Sequence, residues 1–151
     1  MDFFQKAFEL QMHGELCAAI DLYERSVVLW PTAEAYTFMG WAHSQFGRLE
    51  SAIELCKQAV RLDPGFGNPY NDIGAYLIEM GKAREAIPWL EKAICAPRYE
   101  CTHYAWYNLG RVHEHLSDHH LAKQCHLKAL EACPEYPLAR TALFRLVGSM
   151  N

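Results

Sequence analysis

Two small residues return through this chain at a nearly constant interval. Gly40 recurs as Gly74 and Gly110, and Ala52 recurs as Ala86 and Ala122, with spacings of 34 and 36 residues in both series. Upstream, Gly14, Ala19, Ile20 and Pro31 copy Gly47, Ala52, Ile53 and Pro64 at a spacing of 33. A chain that repeats itself at this period builds one supersecondary unit several times over, and stacks the copies to bury what no single copy can bury alone. Four copies and a remainder fill the 151 residues.

The unit is clearest from Ala33 to Phe66. Tyr36, Met39, Gly40 and His43 fall at i, i+3, i+4 and i+7, one face of a first helix. Gly47-Arg48 interrupts the run, and a second periodic set follows in Ala52, Cys56, Ala59 and Val60. Asp63-Pro64-Gly65 stops it, because proline cannot extend a helix and glycine frees the backbone. Each unit is therefore helix, turn, helix, stop. Gly40 and Ala52 leave room where the two helices cross, and stability is roughly a sum of unit and interface contributions.

This pattern resembles the tetratricopeptide repeat family over nearly the whole chain. The last unit carries Trp106, Leu109, Gly110, His113, Ala122, His126, Ala129 and Pro134. The second reads Tyr36, Met39, Gly40, His43, Ala52, Cys56, Ala59, Pro64, and the third Tyr70, Ile73, Gly74, Leu77, Ala86, Leu90, Ala93. Departures sit in the first unit, where Phe3, Lys6, Ala7 and Leu10 replace the signature, and after the third, where Pro97 arrives one residue early. The resemblance implies an all-α fold: a right-handed α-solenoid of antiparallel helix pairs with about nine helices. It forms a single domain over 1–151, with repeats at approximately 1–32, 33–66, 67–100 and 103–136 and a capping helix over 137–148.

Several local expectations follow. The first helix runs from Asp2 to Met12 with Phe3 and Ala7 packed inward and Phe4 and Phe8 turned another way, and pairs with a helix over Glu15 to Leu29. Pro88 lies near the start of its helix, where proline is tolerated and a kink is conceivable. The connection Pro97 to Thr102 is two residues longer than the preceding junction and reads as loop variation. Pro137 to Val147 forms the last helix before Gly148, with Arg140, Thr141 and Arg145 on a thin polar stripe.

Composition narrows the class. With 51% hydrophobic and 21% charged residues the chain reads as globular rather than disordered. No run of about 18 apolar residues suggests a membrane span, and the opening MDFFQKAFEL reads as an amphipathic helix rather than a signal peptide. The six cysteines are scattered at helix positions, which argues for free thiols in a reducing cytoplasm. Cys56 serves as a small hydrophobe.

Function in such a solenoid lies on the concave surface of first helices, an assignment made by the resemblance. Carried over unit by unit, it places Phe4 and Phe8 in the groove, then Glu34, Thr37, Trp41 and Gln45, then Asn68, Asn71, Ala75 and Glu79, then Tyr104, Tyr107, Arg111, Glu114 and His115. All lie off the core stripes. Aromatic rings, amides and charges together suit a peptide or helical segment of another protein; the bland alternative is that Trp41 and Tyr107 merely pack against neighbouring helices. The first-helix segments hold six acids (Asp2, Glu9, Glu34, Asp72, Glu79, Glu114) and two bases (Lys6, Arg111), a balance equal to the net charge of −4. A partner with apolar and basic character is favoured. Nucleic acid is not expected, since no Lys/Arg-rich stripe exists. One subclass of the family clamps acidic chaperone C-termini with lysine, arginine and asparagine. This chain resembles it poorly, with Phe4, Phe8, Phe38, Asn68 and Asp72 at the clamp positions.

Chemistry has weaker support. His and Cys gather between Cys95 and Cys133, including Cys101, His103, His113, His115, His119, His120, Cys125 and His126, and both are zinc ligands. Their spacing matches no paired CxxC or HExxH motif, the register puts His43, His113 and His126 at core sites, and His119 and His120 fall in a turn. No metal, cofactor or catalytic residue is assigned, and an enzyme is not expected. The alternative function is a self-associating scaffold whose ends, Phe3/Phe4/Phe8 and Leu143/Leu146, mediate homo-oligomers.

Overall fold

The computed structural model describes residues 2–149, and among these it forms nine α-helices. They are α1 (Phe3–Met12), α2 (Leu16–Leu29), α3 (Ala33–Gln45), α4 (Leu49–Leu62), α5 (Asn68–Glu79), α6 (Ala83–Cys95), α7 (Thr102–His115), α8 (His119–Ala132) and α9 (Pro137–Ser149). Each helix packs on the next, and α1, α3, α5 and α7 also touch one another in sequence. They form one layer, and α2, α4, α6 and α8 back it. The architecture is the all-α solenoid of helix pairs that the repeats imply.

Each intra-pair turn needs one residue in the left-handed region. Gly14, Gly47 and Gly81 supply it with φ of +82°, +79° and +78°, where glycine carries no Cβ penalty. In the fourth turn Ser117 occupies the same register at φ 61°. Asp118 caps α8 by accepting from the Leu121 N–H, so His119 and His120 open that helix instead of lying in the turn.

The recurrent glycines mark the crossings. A Cβ on Gly40 would come within 3.1 Å of Cys56 Sγ, one on Gly74 within 2.4 Å of Leu90, and one on Gly110 within 2.3 Å of the His126 ring. In the first pair Ala7 takes the glycine position, and Tyr23 fills the facing site on α2. A continuous apolar core runs from Ala52 and Cys56 through Ile73, Tyr76 and Leu90 to Leu109 and Cys125. All six cysteines are free thiols.

Other local expectations also change. Phe3 is exposed, while Phe4 turns into contact with Tyr23 and Phe38: the helical register that buries Ala7 brings Phe4, not Phe3, towards α3. Pro88 is the sixth residue of α6, which continues from Ala83 to Cys95. α9 does not stop before Gly148 but runs to Ser149, burying Ala139, Ala142 and Leu146 while Phe144 is 85% exposed.

The Pro97 to Thr102 connection is not loose loop variation. Phe66 and Arg98 form a one-residue parallel bridge, with Arg98 N–H donating to Gly65 O and Gly67 N–H donating to Arg98 O. The Arg98 guanidinium lies 4.3 Å from the Phe66 ring centre, a cation–π distance. It donates to Glu34 at 2.9 Å and to Asp63. The extra residues strap the α6–α7 link onto the α4–α5 link, and Tyr99 seats where only a glycine at position 67 leaves room.

Candidate functional site

The layer of α1, α3, α5 and α7 begins with an aromatic ridge. Phe38 projects from α3 towards α1 and meets Phe4 and Phe8 edge-on, with ring centres 5.6 and 5.4 Å apart. Trp41 continues the row 6.1 Å from Phe38 and is 37% exposed. Edge-to-face contacts of this kind hold rings rigidly while leaving one face free. Gln45 is tied by a 2.7 Å bond from Gln11, whose carbonyl accepts from the buried Tyr23 hydroxyl, so it fixes α1 to α3.

In the middle of the layer the amides are spent internally. Asn108 donates to Asn71 at 3.0 Å, and Arg111 donates to Asn108 at 3.1 Å. Asn71 and Asn108 are both buried. Thr37, expected among the groove residues, is also buried, and its hydroxyl donates to Ala33 O one turn back. Neither Thr37 nor Asn71 offers a free polar group. Asn68 and Glu79 are exposed at the two ends of α5, and Ala75 is half-buried between them. Asp72, counted as a charge in the sequence but not assigned a site, is half-buried beside Asn71, whose amide approaches it at only 3.5 Å. Burial pushes its carboxyl up to about 7 against the small opposing pull of that amide.

At the far end Tyr104 and Tyr107 both pack edge-on against Tyr136, with ring centres 5.5 Å away. Tyr104 keeps 43% of its surface exposed, whereas Tyr107 also leans on His126 and is half-buried. Tyr107, Arg111, Glu114, His115 and Arg145 line a recess of about 410 Å³. Glu114 accepts from fully buried His126 Nε2 at 2.8 Å and from Arg145 at 2.6 Å, which joins α7, α8 and α9. A carboxylate only accepts, so Nε2 carries the ring proton and Nδ1 is left buried without a partner. Burial lowers His126 despite the neighbouring carboxylate. Burial alone would raise Glu114, but the bonds from His126 and Arg145 outweigh it and hold the carboxyl below its usual range.

The charge balance differs from the sum over first helices. Arg98 reaches Glu34 from the α6–α7 link, and Arg145 reaches Glu114 from α9. Tyr136 likewise enters the aromatic cluster from the α8–α9 link. These three contributors lie outside the first helices, where the family pattern gives no signal for them; the two-residue excess in the α6–α7 link is the nearest hint. Among the described residues no group of three or more His, Cys, Asp or Glu is placed to hold a metal ion. No described helix is long and apolar enough to cross a membrane.

Known proteins share this organisation. The family model "Tetratricopeptide repeat" matches residues 33–66, 68–94 and 103–136. Small glutamine-rich tetratricopeptide repeat-containing protein 2 of Mycosarcoma maydis is 36% identical over 90 residues, which are 59% of this chain and 25% of that protein. The chain thus spans about a quarter of that relative's length. The structure of Pseudomonas aeruginosa pilF superposes with a TM-score of 0.91 at 19% identity, covering 98% of this chain and 67% of that one. The first repeat domain of Spaghetti (RPAP3), bound to the HSP90 peptide SRMEEVD, superposes with a TM-score of 0.72 at 17% identity, covering 79% and 93%. At these identities the structural likeness establishes the fold.

Proposed function

The chain belongs to the tetratricopeptide repeat family, and from that premise we propose that it performs no chemistry of its own but holds an extended or helical segment of a partner protein. The segment lies along the layer of α1, α3, α5 and α7. The observation that carries this reading is the pair of exposed aromatics, Trp41 and Tyr104, each braced by a half-buried ring, Phe38 at a tilt and Tyr136 edge-on. Rigid aromatic surface is what peptide-binding interfaces concentrate at their hot spots. Phe4, Phe8, Phe38 and Tyr107 form the support, and Gln45, Asn68, Glu79, Arg111 and His115 supply the polar rim. The free thiols fit a reducing, cytoplasmic setting.

The Spaghetti domain holds an acidic HSP90 peptide. This chain presents Phe4, Phe8, Phe38, Asn68 and Asp72 where a carboxylate clamp requires basic and amide groups, so such tails are not its ligands. Titration with an acidic C-terminal peptide should give no saturable binding. Affinity capture comparing wild type with a Trp41→Ala, Tyr104→Ala double variant tests the reading directly. Loss of the captured proteins is expected, and their full retention removes the groove hypothesis.

A second reading has its own observation. Leu138, Phe144 and Val147 are exposed on α9, which supports self-association through that helix. Leu146, named for this role in the sequence, is buried against the fold and cannot contribute. A monomer by light scattering at both low and high concentration counts against it.

A further inference from the structure

We propose that Asp72 is the anchor for a cationic side chain, lysine or arginine, of the bound segment, with Trp41 as the aromatic wall beside it. The inference rests on the groove reading above and specifies the chemistry at its centre.

Repeat register places Asp72 where Phe38 stands on α3 and Asn108 on α7. Those two residues each turn to the preceding inner helix: Phe38 meets Phe4 and Phe8 of α1, and Asn108 meets Asn71 of α5. By the same register Asp72 would turn towards α3, at the level of Thr37 and Trp41. Phe38 and Asn108 find partners there, but Asp72 finds none of its own kind. The Thr37 hydroxyl is committed to Ala33 O, and Asn71 lends only a marginal bond at 3.5 Å. None of the ion pairs among the described residues includes Asp72. The titratable groups in its field are Cys56 of α4, Tyr76 of α5 and Tyr99 of the α6–α7 link, all made harder to ionise by it and none cationic.

A half-buried carboxylate without a cation is unfavourable, and such groups ordinarily acquire a partner or are retained for a purpose. Glu34 and Glu114, in the same layer, each have an arginine. Asp72 lacks one, and the repeat register sets it on the α3-facing side of α5, at the level of the exposed Trp41 indole. An ammonium or guanidinium entering here would pair with the carboxylate and lie against the Trp41 face, two attractions that reinforce each other in a partly desolvated site.

The test is a random peptide library displayed on phage and selected separately on wild type and on Asp72→Asn, an isosteric change that keeps the amide-sized group. Wild type should enrich peptides with one basic residue at a fixed offset from apolar residues, and Asp72→Asn should enrich the apolar residues without it. A synthetic peptide from the wild-type selection should bind Asp72→Asn at least tenfold more weakly. Replacing its basic residue by norleucine should weaken binding to wild type but cause no further loss with Asp72→Asn. Equal affinity for both proteins, or selected peptides with no fixed basic position, overturns the anchor while leaving the groove intact. Selected peptides that bind a Trp41→Ala, Tyr104→Ala variant undiminished lie elsewhere and overturn the groove reading itself. A library that yields no binder removes both.

Discussion

The imidazole of His126 occupies the space over Gly110: a Cβ built on that glycine would fall 2.3 Å from Cε1 and 2.6 Å from Nδ1 of the ring. The same ring donates to Glu114 one turn further along α7, so its position is fixed from two sides. An added methyl therefore has to displace the ring, its bond to Glu114, or the α7–α8 crossing.

Gly110→Ala should destabilise the protein by about 2–3 kcal/mol, at the upper end of overpacking penalties, despite alanine's better helix propensity. Gly40→Ala should cost less, because its nearest neighbours lie at 3.1 Å. Denaturant melts of the two variants check the order; equal losses would contradict the crossing geometry.

Ser117 adopts φ 61° where Gly14, Gly47 and Gly81 serve the other three turns. Ser117→Gly should stabilise by about 1 kcal/mol through relief of the left-handed backbone, less the entropy glycine adds to the unfolded chain. The thermal midpoint should rise by a few degrees, and a fall would mean the serine is not strained.

Asp72 and His126 give opposite pH dependences. The Asp72 carboxyl, raised to about 7 in the fold from 3.8, contributes stability that is fully present below 3.8 and lost as pH rises through 7. Asp72→Asn should therefore be the more stable protein at pH 8, by roughly 2 kcal/mol, with the gap closing on acidification. His126 is lowered by burial, so its contribution is present above its ordinary value of 6.5 and is lost as pH falls below it. His126→Gln should flatten the acid limb of the stability profile between pH 7 and 5. Melts at half-unit intervals would expose either sign as wrong.

Arg98→Ala should loosen the strap without unfolding the solenoid. The Arg98 and Gly67 amides, which bond across the two links, should lose protection in hydrogen exchange, while amides within α8 keep theirs. Unchanged exchange at Gly67 would show that backbone pairing alone holds the segment.

The helix pairs were legible because their cause is local: periodic apolar positions, small residues at crossings and breakers at turns recur in every unit. The exposure of Trp41 and Tyr104 was legible for the same reason, since the register that defines a core stripe also defines what lies off it. Thr37 and Asn71 follow that register too, yet each turns its polar atoms inward, a side-chain choice that helical spacing does not determine. The charge pattern failed where long side chains cross between elements. Arg98 and Glu34 are 64 residues apart, and Arg145 reaches Glu114 from a helix that carries no repeat signature. Asp72 looked like one acid among six; its isolation is visible only once every other charge has been placed.

The strap also alters how the array comes apart. In a solenoid whose units touch only their neighbours, the ends fray one unit at a time. Here the link after α6 closes over Phe66 and grips Glu34 at the start of α3, so α3 to α6 cannot separate pairwise without first releasing Arg98. These four helices should unfold as one cooperative block, leaving α7 to α9 and α1 with α2 as the segments free to open earlier. A partner bound across Trp41 would then rest on the most persistent part of the molecule.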